Sequence, residues 1–403
     1  MKRILLWLLI PVALGNVFVI AYSPLPIPYN LDFLAIYHAN LGVLRGIPLY
    51  NLTGQVDMVA GMAGVTAGQV FLLPFVYPPW YALLSLPLAL LPIDVAARLW
   101  FAVNLLFIIL FVWLGTDNWL AQRRVISFLL TVLFLPVLGA LYVGQFVFPV
   151  LLGAGVLFYA LPRKHTWLTS IGLFLLTFKP HIGGLVFLFV IVHLLLKRSA
   201  FAHRTLWTTG GILLFFFAIS FFMDSGWPAH YFQTLFGFRE VSPCEGSCIS
   251  VPTTITSLLG ADFTQAVWVA IILLLAWIGL FIKNRPEVWK EANWLIATGF
   301  CITLLSSPYQ YNYDFVVLLV PFFLLVSTIQ KRVDWLCLAL AYFLPWVGLI
   351  FGRQGNQVLL FSTLSLMILL WQKSKPGRSL LDGRSQAMYN QKTPPGGVSD
   401  WQG

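Results

Sequence analysis

Charged residues are scarce in this chain: Asp, Glu, Lys and Arg make up 9% of its 403 residues, against 59% hydrophobic, and the mean hydropathy is +0.86. A soluble domain carries about 25% charged residues. Too few are present to cover a water-facing surface, so a soluble fold is excluded. Acids are scarcer than bases, 14 against 24, and none stands at the centre of a well-defined apolar run. Proton- and sodium-coupled transporters place a carboxylate there. Walker-type phosphate loops, HExxH and CxxC pairs are missing as well, so nothing supports ATP coupling or zinc hydrolysis. No His, Asp or Glu cluster demands a metal, and no cofactor is expected. Of the four cysteines, Cys301 and Cys337 lie in apolar runs and read as packing residues. Cys244 and Cys248 share a polar loop in which a disulfide is chemically permitted.

What is present is length of apolar run. Ile4–Tyr22, Val125–Tyr142, Trp207–Met223, Val267–Ile282 and Phe315–Ile329 are each about 16–20 residues, enough to span hydrocarbon. Barrel strands alternate and are about ten residues long, so a β-barrel is excluded. The sequence predicts an all-α, polytopic helical bundle. After the first helix, candidate spans fall at about 77–93, 96–114, 125–142, 146–161, 166–178, 181–196, 206–223, 264–282, 292–306, 313–329, 333–350 and 357–371. The first segment opens Met1-Lys2-Arg3 like a signal peptide but lacks a small-x-small cleavage site, and reads as a retained helix.

The net charge of +10 does not indicate a nucleic-acid binder, because the bases cluster at segment ends. Arg123-Arg124, Arg163-Lys164, Lys197-Arg198, Lys283, Arg285 and Lys331-Arg332 mark cytoplasmic loops, and Lys373 to Lys392 a cytoplasmic tail. Both termini inside require an even number of crossings, whereas the candidates make thirteen. About twelve spans are therefore expected. Residues 77–98, interrupted by Pro78, Pro79, Pro87 and Pro92, are the segment most suited to a re-entrant or broken element. The short pair around Lys179-Pro180-His181 is the second choice. Residues 1–372 form the membrane domain and 373–403 a polar tail expected to be disordered. Long outer loops are expected at 23–75 and 224–262, the first with an amphipathic helix, Leu31–Leu44, lying along the membrane interface.

Polar residues outside the basic clusters gather on the outer side of this topology. Asp32 opens the helix of the first loop, followed by Tyr37, His38 and Arg45. Gly144-Gln145 and Lys179-Pro180-His181 fall at the outer ends of helix pairs, and Tyr309-Gln310-Tyr311-Asn312-Tyr313-Asp314 joins a third. Each also has a plainer reading: an N-cap for Asp32, a turn for Gly-Gln, a snorkelling Lys179 and an aromatic belt for the tyrosines.

The order and spacing of several short motifs resemble glycosyltransferase family 87. These are Asp32, then Leu44-Arg45-Gly46-Ile47-Pro48-Leu49-Tyr50, Tyr77-Pro78-Pro79, Leu86-Pro87-Leu88-Ala89-Leu90-Leu91-Pro92, Gly144-Gln145, Phe178-Lys179-Pro180 and Ser307-Pro308. The resemblance covers about residues 30–320. It departs at Val147, where the family often has Asn, and after Ser307-Pro308, where it often has an aromatic residue and His.

The resemblance implies a C-type membrane glycosyltransferase that uses a polyprenyl-phosphate-linked sugar, mannose by family default. The acceptor would be a glycolipid or glycan hydroxyl, and no nucleic acid is implied. One carboxylate serves as general base and cations meet the leaving phosphate. Asp32 is the expected base. Lys179, His181 and Arg45 are the expected phosphate ligands, and Tyr37, His38, Gln145, Tyr309, Tyr311 and Asp314 the expected sugar or acceptor contacts. The expected setting is a bacterial inner membrane, in contact with its lipids, with the site on the outer side. A lipid-linked sugar flippase is the competing reading, and Asp32 separates the two, because a transporter needs no base.

Overall fold

The computed structural model describes residues 10–19, 31–116, 121–241, 248–260 and 263–374. Every regular element among them is a helix. The first part of the chain holds α1 (Ile10–Val19), α2 (Leu31–Leu44), α3 (Leu52–Ala63), α4 (Pro79–Ser85), α5 (Ile93–Gly115) and α6 (Ala121–Val132). Then come α7 (Leu135–Val143), α8 (Val147–Ala160), α9 (Thr166–Leu176), α10 (Pro180–Lys197), α11 (Ala200–Ile219) and α12 (Trp227–Val241). The remainder are α13 (Val251–Leu258), α14 (Phe263–Asn284), α15 (Pro286–Lys290), α16 (Ala292–Ser306), α17 (Leu319–Val326), α18 (Arg332–Gly348) and α19 (Val358–Lys373).

Among the described residues, five helices are long and apolar enough to cross a membrane: 93–115, 180–197, 200–222, 264–284 and 332–351. The run read as one crossing at 125–142 is two helices, α6 and α7, bent by 59° where Pro136 opens the second. Taken as one span, the pair makes a sixth. The sequence suggested about twelve, because it measures how apolar a run is and not whether its helix continues. The other apolar runs are built as helices of 10–17 residues. Among these, α8, α16 and α17 are buried along most or all of their length. Short helices are tolerated at membrane depth when protein rather than lipid surrounds them. The long helices, by contrast, leave much of their apolar surface exposed. Trp207, Phe222, Trp268 and Ile272 are examples, and such residues suit a hydrocarbon solvent.

Glycines set the tightest packing. A Cβ at Gly153 would stand 2.8 Å from the Gly172 carbonyl oxygen, and one at Gly183 would overlap that of Leu176. These positions let α8 and α9 touch and let the α9–α10 connection turn sharply. That connection contains Lys179.

The proline-rich stretch breaks as expected: α4 is followed by a 3₁₀ turn, Leu86–Leu90, before α5 starts behind Pro92. α2 has the expected bounds and a different setting. Phe33, Ala35, Ile36, Tyr37, Ala39 and Asn40 are all buried, with α3, α4, α7 and the 3₁₀ turn packed around the helix. Its apolar residues therefore serve contacts on several sides, and the single apolar stripe of an interfacial helix does not describe it. Of the two loop cysteines for which a disulfide was permitted, Cys248 is disulfide-bonded, while Cys244 lies outside the described residues. So do residues 1–9 of the first segment and 375–403 of the tail.

Candidate active site

Four breaks in regular structure converge on one buried polar cluster. α7 ends at Gly144 in the left-handed conformation, φ 71°, which favours glycine. A Cβ there would also stand 2.7 Å from the Cβ of Phe33 on α2. Trp100 Nε1 donates to the Gly144 carbonyl at 3.0 Å, and the turn presents the next residue, Gln145. The α9–α10 connection ends at Lys179, held by Pro180 at the first position of α10. After α16 the chain runs extended to a 3₁₀ helix, Asn312–Leu318, which begins with the Tyr311 N–H donating to Asp314 Oδ2 at 2.8 Å. The segment before α13 braces this loop: Ile249 N donates to the Gln310 carbonyl at 2.9 Å, and Ser250 Oγ to the Ser307 carbonyl at 2.7 Å.

Lys179 and Asp314 are 2% and 1% exposed, and their charged atoms are 2.5 Å apart. The same ammonium donates to Gln145 Oε1 at 2.8 Å and lies 4.9 Å from the centroid of the Tyr313 ring. An ammonium has three donors and no acceptor, so this one is already engaged by a carboxylate, an amide and an aromatic face. His181, 38% exposed, holds Nε2 3.9 Å from Asp314 Oδ2.

Asp32 is the carboxylate outside that ion pair. Burial pushes its pKa from 3.8 to about 6, opposed by the Lys179 charge and the Gln145 amide and reinforced by Asp314. Gln145 Nε2 is buried, and its amide reaches the Asp32 carboxylate. The amide therefore stands between Lys179 and Asp32.

The expected residues are thus divided. Asp32, Gln145, Lys179, His181 and Asp314 are brought together. Tyr309 and Tyr311 stand at the edge, half-buried, with hydroxyls 3.0 Å apart. Tyr37 donates to the Leu91 carbonyl at 2.8 Å, His38 lies edge-on to Tyr37, and Arg45 is exposed beyond the end of α2. Tyr37 and His38 thus make their contacts away from the cluster, and Arg45 faces outward. Two residues absent from the expected set belong to it. The hydroxyls of Tyr77 and Tyr313 both lie within electrostatic reach of Asp32 and Asp314, and Tyr77 packs on Phe146 at 4.5 Å between centroids. Among the described residues no three of His, Cys, Asp and Glu gather as a metal site.

The sequence model of glycosyltransferase family 87 matches residues 75–308, more than half of the chain. This chain belongs to glycosyltransferase family 87. Membership makes it an integral membrane glycosyltransferase with a sugar donor and an acceptor. No curated protein and no solved structure matches it. The family 87 match begins at Phe75, beyond the helix that carries Asp32, and ends at Pro308, ahead of the loop that carries Asp314. It therefore takes in Tyr77, Gln145, Lys179 and His181, while both carboxylates of the cluster lie outside it, Asp32 well before its start and Asp314 shortly after its end.

Proposed function

We propose that this family 87 enzyme transfers a sugar, mannose by family default, from a polyprenyl-phosphate donor to an acceptor hydroxyl with inversion, and that Asp32 is the general base. The observation that carries the reading is the division of labour between two carboxylates. Asp314 takes the only ammonium of the cluster, and Asp32 is left as a partly buried base whose pKa is raised to about 6. A general base works best with a pKa near the operating pH. The acceptor oxygen attacks the anomeric carbon, Asp32 takes its proton, and polyprenyl phosphate departs with the bonding pair.

Gln145 Nε2 and the Tyr77 and Tyr313 hydroxyls supply polar contacts for the sugar. Lys179 holds Asp314 and Gln145 in place, a task that competes with binding the donor phosphate directly. Of the three bases considered for that phosphate, His181 is the one in the cluster that remains accessible. About twelve crossings with the site on the outer face of a bacterial inner membrane complete the proposal. The donor fits that face, where nucleotide sugars are absent.

The test incubates purified protein with polyprenyl-phosphate-mannose, -glucose and -arabinose, with membrane extract as acceptor, and follows release of polyprenyl phosphate. One donor, mannose, is expected to be consumed only with acceptor present and only with Asp32 intact. If none is consumed and labelled lipid-linked sugar crosses a proteoliposome bilayer instead, the flippase reading replaces this one.

A further inference from the structure

The Asp32 cluster accounts for a base and gives the departing phosphate little. Asp32, Asp314 and Lys179 are two carboxylates and one ammonium, a net negative group, and the ammonium is already engaged. Inversion also places base and leaving group on opposite faces of the sugar ring. Two partial C–O bonds, a P–O bond and two hydrogen bonds in series put the phosphate's ligand roughly 10 Å from the base.

A second built polar group sits beyond one aromatic layer. Asp224 is buried, and its Oδ1 accepts from the Gly226 N–H at 2.9 Å and lies 2.8 Å from His230 Nδ1. Its Oδ2 is 3.0 Å from the same nitrogen. An Asx turn explains the contact to Gly226 and leaves the two contacts to His230 unexplained. A Cβ at residue 226 would meet the imidazole at 2.6 Å, so Gly226 is what lets the ring lie back on the carboxylate. With Nδ1–H on Asp224, Nε2 faces the other way, on a side chain that is 46% exposed. Tyr50 connects this pair to the cluster. Its ring meets Tyr231 at 5.8 Å and its hydroxyl donates to the Tyr77 carbonyl at 2.7 Å. Burial, then the neighbouring Tyr231 and Asp224, push the pKa of that hydroxyl up.

We propose that His230, held by Asp224, receives the lipid phosphate as it leaves, with one proton shared between Nε2 and a non-bridging phosphate oxygen. The inference rests on the transfer reaction proposed above. As the C1–O bond to phosphate breaks, its electron pair stays on the phosphate, which passes from one negative charge to two. The C1–O bond to the acceptor forms and the acceptor's proton goes to Asp32. The proton on His230 then offsets the second phosphate charge. Asp224 touches His230 and acts through it as a positioning residue.

Binding of undecaprenyl phosphate to purified protein in nanodiscs, with no acceptor present, tests this without any transfer. Wild type and Asp32→Asn are expected to bind alike, whereas His230→Ala and Asp224→Asn each weaken binding about tenfold or more. Gly226→Ala, which displaces the imidazole without removing it, weakens binding in the same sense. Wild-type affinity in His230→Ala overturns the proposal. Phosphatidylglycerol at equal mole fraction is expected not to compete, and equal competition would overturn the assignment to the leaving lipid by marking a general headgroup contact. In transfer assays His230→Ala lowers kcat and leaves the acceptor KM unchanged, and a shift in acceptor KM alone contradicts the role. Full transfer by Asp32→Asn would sink the proposed base while leaving the His230 binding result standing, so the two failures are distinguishable.

Discussion

Asp32 concentrates three expectations. Asp32→Asn and Asp32→Ala should lower transfer at least about a hundredfold, the smaller end of what a positioned base contributes, and residual activity above that level refutes the role. The reaction needs the ionised form, so kcat/KM should be flat above a pKa of about 6 and fall about tenfold per pH unit below it. Stability runs the opposite way. A carboxyl whose folded pKa is raised above 3.8 stabilises the fold at low pH and loses that contribution as pH rises through about 6. Asp32→Asn should therefore melt higher than wild type at neutral pH, read by thermal denaturation in detergent, while being inactive.

Lys179 behaves otherwise. Lys179→Ala strands the Asp314 carboxylate in a buried site, a loss of about 3–5 kcal/mol for a broken buried pair. Adding Asp314→Asn should recover a good part of it, and no recovery in the double variant would mean that the pair does not set stability. Asp32, Gln145 and Lys179 were legible from the order of motifs, and His181 and Asp314 from the polar runs at the ends of helix pairs. Tyr313 stands in the same polar run as Tyr309 and Tyr311, and nothing in the sequence separates the three. Tyr309 and Tyr311 lie ahead of the 3₁₀ helix Asn312–Leu318, whereas Tyr313 is inside it and turns its ring to Lys179.

At the scale of elements, helix type and several bounds were legible, as with Leu31–Leu44, and continuity was not. Apolar composition gives the same signal for one long helix and for two short ones bent apart, as α6 and α7 are at 59°. Burial was equally hidden: α2 carries apolar residues because four neighbours pack on it, a tertiary fact that no window of sequence contains. The turn at Gly144 joins element to site. Gly144→Ala would force an alanine into the left-handed region, at about 1–2 kcal/mol, and press its Cβ against Phe33. Activity should fall with stability, because α2 and Gln145 are pushed apart. An active, wild-type-stable Gly144→Ala would mean that the two are not rigidly coupled.

At the scale of the whole molecule, orientation is the quantity to test. A cysteine at Asn51, exposed at the start of α3, should be labelled by an impermeant reagent from outside. One at Lys164, exposed between α8 and α9, should be reached only after permeabilisation. The reverse pattern would place the site on the cytoplasmic face. Ser247 in the second outer loop lies outside the described residues.

The Lys179–Asp314 contact also fixes an order of events during biosynthesis. The two partners are separated by 135 positions (314 − 179), and a ribosome adding about 5–20 residues per second makes the second some 7–27 s after the first. Throughout that interval the lysine lacks the carboxylate that it meets in the finished fold. Only when Asp314 arrives can α8, α9 and the 3₁₀ turn Asn312–Leu318 lock together. A chain halted before that point has its lysine and lacks the carboxylate that buries it.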